Sequence, residues 1–224
     1  MHGIIQVAGI VDQKEADMLI AEGVHHLGFP LGLTVHREDL GEEEAALIVR
    51  TLKPPRKAVL ITYESEAERI VGRCRRIGVE MVQLQGEVSI RQLARLRELA
   101  PQFVVVKSLI VRDHNLAELE SSLNMFVPYV DGFITDTYDP ASGASGATGK
   151  DHDWDVSRGL VTISPKPIML AGGLTVENVR SAIIHVRPAG VDVHTGVEGS
   201  DGRKHRLLVR AFVREAMSAF ARVQ

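Results

Sequence analysis

Cysteine is almost absent. The 224 residues hold one, Cys74, which excludes an intramolecular disulfide and a cysteine-rich zinc site. An excess of either charge is missing too: 26 Lys plus Arg stand against 29 Asp plus Glu, a formal net charge of −3. That balance argues against a general nucleic-acid-binding or membrane-surface role. No apolar run approaches the roughly 20 residues that a membrane helix needs. The opening MHGIIQVAGIVDQKEAD carries no basic segment followed by a cleavage site, so a cytoplasmic protein is expected. The histidines show no regular ligand spacing. His25-His26 and Asp151-His152-Asp153 are weak patterns, and no metal is expected.

What is present is ordinary soluble-domain material, 45% hydrophobic and 25% charged, enough for one sizeable core and short for two. A single domain over residues 1–224 is expected. Short runs of Val, Ile and Leu alternate with longer stretches of helical period. The strand candidates are Ile4–Val7, His26–Phe29, Ala58–Thr62, Met81–Gln85, Phe103–Ser108, Gly132–Asp136, Ile168–Ala171 and Val191–His194. The helix candidates between them are Gln13–Glu22, Glu42–Leu52, Ser65–Ile77, Ile90–Ala100, Leu116–Tyr129, Trp154–Ile163, Val176–Val186 and Lys204–Val223. Asp12, Ser65, Ser89, Asp113 and Thr175 stand where helix starts need side-chain acceptors. Gly23 and Gly78 stand where helices end.

Strands apolar almost throughout imply a parallel sheet covered by helices. Eight strand–helix units of about 28 residues fill the chain, which predicts a (β/α)8 TIM barrel of minimal length. An open doubly wound sheet is disfavoured, because the first strand–helix turn, Ala8–Asp12, has no GxGxxG.

In a barrel the chemistry sits where strands end. Strand seven runs into Ala171-Gly172-Gly173-Leu174 and strand eight into Thr195-Gly196-Val197-Glu198-Gly199. Glycines let the backbone approach an anion, and consecutive turns of this kind read as a phosphate cradle. The alternative is that they only permit tight turns. A small phosphorylated ligand is implied. Asp136 ends the otherwise apolar strand GFITDT, a setting suited to acid or base work or to a turn. Alternation places Gln83 with Gln85, and Asp192 with His194, on shared faces. Arg37 follows strand two and could fork onto a carboxylate or phosphate, or stand exposed. The Gly/Ala/Ser-rich loop after strand six, YDPASGASGATGKDHDW, reads as a lid or a disordered crossing.

Together these residues resemble the phosphoribosylanthranilate isomerase family of tryptophan biosynthesis. The resemblance rests on Gln83-Leu84-Gln85-Gly86-Glu87, Asp136, and Gly146-Ala147-Thr148-Gly149-Lys150 with Asp153-Trp154. It continues through Leu170-Ala171-Gly172-Gly173-Leu174, Glu177-Asn178-Val179 and Val191-Asp192-Val193-His194-Thr195-Gly196-Val197-Glu198, then Gly202 and Lys204. The family implies a barrel, no cofactor, and an Amadori rearrangement of an aminoaldose phosphate to an aminoketose phosphate, an aldose–ketose isomerisation. Carried over, Asp136 is the general acid and Arg37 the carboxylate anchor. Gln85, Gly146, Thr148 and Gly149 border the substrate, while Gly172, Gly173, Thr195 and Gly196 hold its phosphate. A helical exterior leaves room for a homodimer.

The departures concentrate at the reacting end. The family's Lys-Ile-Cys-Gly reads Gln6-Val7-Ala8-Gly9, so the expected cysteine base is missing. The family's QLHG histidine is Gln85, the second glycine of its GGTG loop is Ala147, and its strand-eight serine is His194. Barrel closure makes strand eight the neighbour of strand one, so His194 is expected to replace the thiolate as base. The other readings are a paralogue acting on a different phosphorylated sugar and a non-catalytic phosphometabolite-binding protein.

Overall fold

Strands that are apolar on both faces must be buried between two layers, and this chain buries them by closing them into a ring. The computed structural model describes residues 3–33, 39–112, 114–139, 144–145 and 154–223. Its first half runs β1 (Ile4–Ala8), α1 (Gln13–Ala21), β2 (His26–Pro30), α2 (Glu42–Thr51), β3 (Lys57–Thr62), α3 (Ala67–Ile77), β4 (Met81–Leu84) and α4 (Ile90–Leu99). Then come β5 (Val104–Val111), α5 (Leu116–Phe126), β6 (Gly132–Asp139), β7 (Ala144–Ser145), α6 (Trp154–Ile163), β8 (Ile168–Leu170), α7 (Val179–Val186), β9 (Gly190–Val193) and α8 (Arg206–Val223).

All strands but β7 form one parallel ring. β1 pairs with β2 on one side and with β9 on the other, where Gln6 lies beside Asp192 and Val7 beside Val193. The ring closes again where β5 pairs with β6. The barrel is therefore the (β/α)8 architecture expected from the sequence. The addition is β7, two residues that pair antiparallel with the end of β6, Tyr138 against Ser145.

Two cores follow from the strand alternation. Ala8, Val59, Ile61, Met81, Val106, Ile134, Met169 and Ala171 fill the barrel interior. A larger layer, including Phe29, Phe133, Phe212 and Phe220, packs strands against helices. Each such buried side chain contributes about 1.5–3 kcal/mol. α3 shows how the sequence selects its face. Ala67, Ile70, Val71, Cys74 and Ile77 are buried at helical spacing, and Gly78 ends the helix in the left-handed conformation at φ 82°.

Several boundaries differ from expectation. The helix expected over Leu116–Tyr129 ends at Phe126 and tightens to a 3-10 turn over Val127–Tyr129, because Pro128 has no N–H for the next α-helical bond. The helix expected from Val176 begins at Val179, since Thr175 to Asn178 form a side-chain-bonded turn first. The helix expected from Ser65 begins at Ala67 after Glu66. Asp12 and Ser89 cap as expected, accepting from the N–H groups of Glu15 and Gln92, whereas Asp113 lies outside the described residues. No helix among the described residues is long and apolar enough to cross a membrane.

Candidate active site

The C-terminal ends of the barrel strands surround a cavity of about 270 Å³ bordered by Ala8, Ile61, Gln83, Gln85, Asp136, Asp192 and His194 and by the two glycine turns. Asp136 reaches it because Ile134, two residues earlier on β6, already faces the barrel interior. Its Oδ2 accepts from Gln85 Nε2 at 3.0 Å and its Oδ1 from the Thr137 N–H at 2.8 Å. Burial outweighs both bonds and pushes the carboxyl up to about 6. A carboxylic acid so shifted keeps its proton to higher pH than an ordinary carboxylate and can deliver it.

Asp192 sits on β9 beside Gln6. The Gln6 amide donates to Gln83 Oε1 at 2.8 Å and also bonds the Asp192 carboxyl. The other carboxyl oxygen, Oδ1, has no hydrogen-bond partner among the described residues. Burial first, and the negative charge of Asp136 second, push Asp192 up to about 7.

These two carboxyls set a pH dependence of stability. Both titrate above their unfolded values, so their favourable contribution is complete below about pH 4 and is lost as pH rises through about 6 and 7. Asp192→Asn is expected to raise Tm at pH 8 by about 5 °C, with the gain vanishing at pH 4. Thermal melts of parent and variant at the two pH values check this; a variant that melts lower at pH 8 contradicts it.

His194 stands one rung beyond the Val7–Val193 pair, next to Ala8. Its ring lies over Gly9, where any added side chain would overlap the imidazole, and Gly9 holds φ 77°. Nε2 is 3.6 Å from Glu198 Oε1, and that oxygen accepts from Lys204 Nζ at 2.6 Å. The Lys204 side chain is 1% exposed, so a buried ammonium anchors the carboxylate that faces the imidazole.

The far rim is built from backbone. Gly172 and Gly173 take φ values of 90° and 62°, open to glycine at little steric cost. Asn178 locks this turn, accepting from the Thr175 N–H and donating to the Gly173 carbonyl, both at 2.8 Å. Thr195 and Gly196 open a 3-10 turn over Thr195–Val197. Gly196 lies so near the Leu174 carbonyl that a methyl group there would overlap it.

Asp136, Gln85, Gly172, Gly173, His194, Thr195 and Gly196 thus border one cavity. Arg37, Gly146, Thr148 and Gly149 lie outside the described residues. Cys74 is buried in α3, with its thiol pushed up to about 12 by desolvation, and has no place in the cavity. Tyr63 borders the cavity and was missed in the sequence, although alternation from Val59 and Ile61 places it on the inner face. The Glu198–Lys204 support of His194 was missed as well. Among the described residues, no three His, Cys, Asp or Glu side chains converge as metal ligands would.

A closed parallel barrel with two buried titratable carboxyls and a half-buried imidazole at its mouth defines a (β/α)8 enzyme. Comparison with known proteins makes the class specific. Residues 5–215 match the family described as N-(5'phosphoribosyl)anthranilate (PRA) isomerase, and the chain belongs to that family. N-(5'-phosphoribosyl)anthranilate isomerase 2 of Methanosarcina mazei is 35% identical over 98% of this chain and 96% of its own length. The crystal structure of phosphoribosyl anthranilate isomerase from Thermotoga maritima superposes with a TM-score of 0.82 at 29% identity, covering 97% of this chain and all of that one. A phosphoribosyl anthranilate isomerase in complex with reduced 1-(o-carboxyphenylamino)-1-deoxyribulose 5-phosphate superposes at 0.79, with 27% identity and coverages of 97% and 100%.

Proposed function

We propose that the protein converts phosphoribosylanthranilate to the corresponding 1-amino-1-deoxyribulose phosphate, with Asp136 as general acid and His194 as general base. Asp136 donates its proton to the furanose ring oxygen as the bond from carbon 1 to that oxygen breaks, and the nitrogen lone pair forms an iminium with carbon 1. His194 then takes the proton from carbon 2. The released electron pair forms the double bond between carbons 1 and 2, and the iminium pair returns to nitrogen. The resulting enolamine becomes the ketone.

The observation that carries this reading is the placement of Asp136 and His194 on one cavity whose rim is the paired glycine turns. Imidazole is a proton acceptor in the neutral range, and Glu198 beside it is the orienting group such bases need. The glycine turns, with Thr195 and Gly196, are suited to receive the substrate phosphate. Arg37 is assigned the anthranilate carboxylate, and Gly146, Thr148 and Gly149 the loop over the substrate, on the family pattern alone.

The test compares turnover by the parent, His194→Ala, and His194→Ala combined with Ala8→Cys. Removing the base is expected to lower kcat about 10²–10⁴-fold. A thiol at position 8, beside the vacated imidazole site, is expected to restore part of that loss. An inactive parent, or a His194→Ala rate equal to the parent's, refutes the assignment.

A further inference from the structure

Beyond the two residues of that scheme the cavity is bordered, among the described residues, by three titratable groups, Asp39, Tyr63 and Asp192, of which only Asp192 is buried. Asp192 is buried at the cavity with Oδ1 unpaired, and this is costly in a place where a purely structural carboxylate would have both oxygens satisfied. Its surroundings explain why that buried oxygen lacks a donor. Gln6 spends its amide on Gln83 and on the Asp192 carboxyl, so the floor of the barrel holds Asp192 in place from one side only. The charged or titratable groups that act on it are Asp136 from β6 and Lys204 beyond the 3-10 turn, with His194 one step further along the same strand face. Ala8, the neighbour of His194 across the ladder, contributes only a methyl group on this side.

We propose that Asp192 is a third catalytic residue, whose carboxylate takes the proton from the hydroxyl on carbon 2 while the enolamine becomes the ketone. The inference rests on the isomerase reading above. The step balances. The bond from hydrogen to the carbon-2 oxygen breaks and its electron pair becomes the carbonyl π bond. The enolamine π pair takes to carbon 1 the proton that His194 removed from carbon 2, leaving the imidazole neutral again. In the protonation state that reacts, Asp136 is protonated and Asp192 ionised; at the end of the step the two are reversed. The two carboxyls therefore hold one proton between them before and after each turnover, and both are ionised while the iminium and the enolamine persist. Once product leaves, the proton returns from Asp192 to Asp136 through the water that refills the cavity.

A single charge shared by two buried carboxyls fits their environment. Two ionised carboxylates in one desolvated cavity repel, and each is already held above the ordinary carboxylate range by burial. While both are ionised, the positive charge of the iminium and then of the imidazolium offsets the second carboxylate, until Asp192 takes up the hydroxyl proton.

The experiment is Asp192→Asn in heavy water, following both product formation and deuterium uptake at carbon 2 of recovered substrate. The variant has the parent's shape, and a thermal melt confirms that it is folded. Product formation is expected to fall about 10²-fold, while ring opening and proton removal at carbon 2 persist. The enolamine then lives long enough for the imidazole proton to exchange, and recovered substrate gains deuterium at carbon 2 that substrate recovered from the parent lacks. Product formation within twofold of the parent overturns the inference, as does loss of product with no deuterium gain, which would place Asp192 at an earlier step or in structure alone. In both cases an active parent leaves the isomerase reading standing. A parent that forms no product removes both.

Discussion

Exchanging Asp136 for asparagine is expected to lower kcat about 10²–10⁴-fold and leave KM nearly unchanged. The amide keeps the shape of the carboxyl: its oxygen accepts from the Thr137 N–H, and its NH2 donates to Gln85 Oε1 once the Gln85 amide turns over, so the fold and the cavity survive. What is lost is the transferable proton. Without it the ring oxygen leaves as an alkoxide, which raises the barrier to ring opening. Because this loss falls on the transition state and not on ground-state binding, kcat and kcat/KM fall together. The parent's kcat/KM should also decline on the alkaline side of the free-enzyme value near 6, a limb that the asparagine variant lacks. Steady-state kinetics across pH 5–9 (roughly the working range of the side chains involved) check both statements. A rise in KM at constant kcat would reduce Asp136 to a binding residue.

Gly196→Ala is expected to act in the opposite way, raising KM about 10²-fold. A methyl group at this position would overlap the Leu174 carbonyl oxygen, and neither backbone can yield cheaply. On one side Asn178 pins the Gly172–Gly173 turn through its bonds to the Thr175 N–H and the Gly173 carbonyl. On the other, the 3-10 turn over Thr195–Val197 fixes the strand end. The turns must separate, and the backbone N–H groups proposed to receive the phosphate move apart. Each charge-assisted bond lost costs about 1.5–3 kcal/mol, and every 1.4 kcal/mol is about tenfold in binding. Overpacking adds about 1–3 kcal/mol to the cost of folding, so a lower Tm accompanies the change. Kinetics on the phosphorylated substrate measure the effect. An unchanged KM in a folded variant would remove the phosphate from these turns.

Much of the fold is legible from the sequence because a doubly buried strand leaves little room for polar residues. Ile4 to Val7, Leu60 to Thr62 and Phe133 to Thr135 are found where their apolar runs place them. The exceptions mark where local pattern loses to chemistry or to distant contacts. β5 continues through Ile110 and Val111 because β6 offers partners as far as Thr137. β7 depends on a pairing with Tyr138 and Asp139, which no periodicity of two residues could announce. The start of α7 is decided by Asn178, whose side chain binds the preceding turn instead of permitting a helix at Val176.

The site divides along the same line. Asp136 is legible as a carboxylate ending an apolar strand, and the closeness of His194 to Ala8 follows from barrel closure. The cover of Gly9 by the imidazole and the hold of Lys204 on Glu198 are side-chain outcomes of how the loop after β9 folds back. Burial is what distinguishes Asp192 from an ordinary polar lining residue, and strand alternation gives its face but not its depth. Position 8 thus carries a methyl group where the family pattern has a thiol, with His194 on the neighbouring strand end beside it.

The most direct measurement is turnover of phosphoribosylanthranilate by the purified protein, with Asp136→Asn as the matched control. Formation of the aminoketose phosphate at a kcat on the order of 1 s⁻¹ or higher, and a loss of about 10² or more in the control, is the expected result. A parent whose rate does not exceed that of the control contradicts acid–base isomerisation at this barrel mouth.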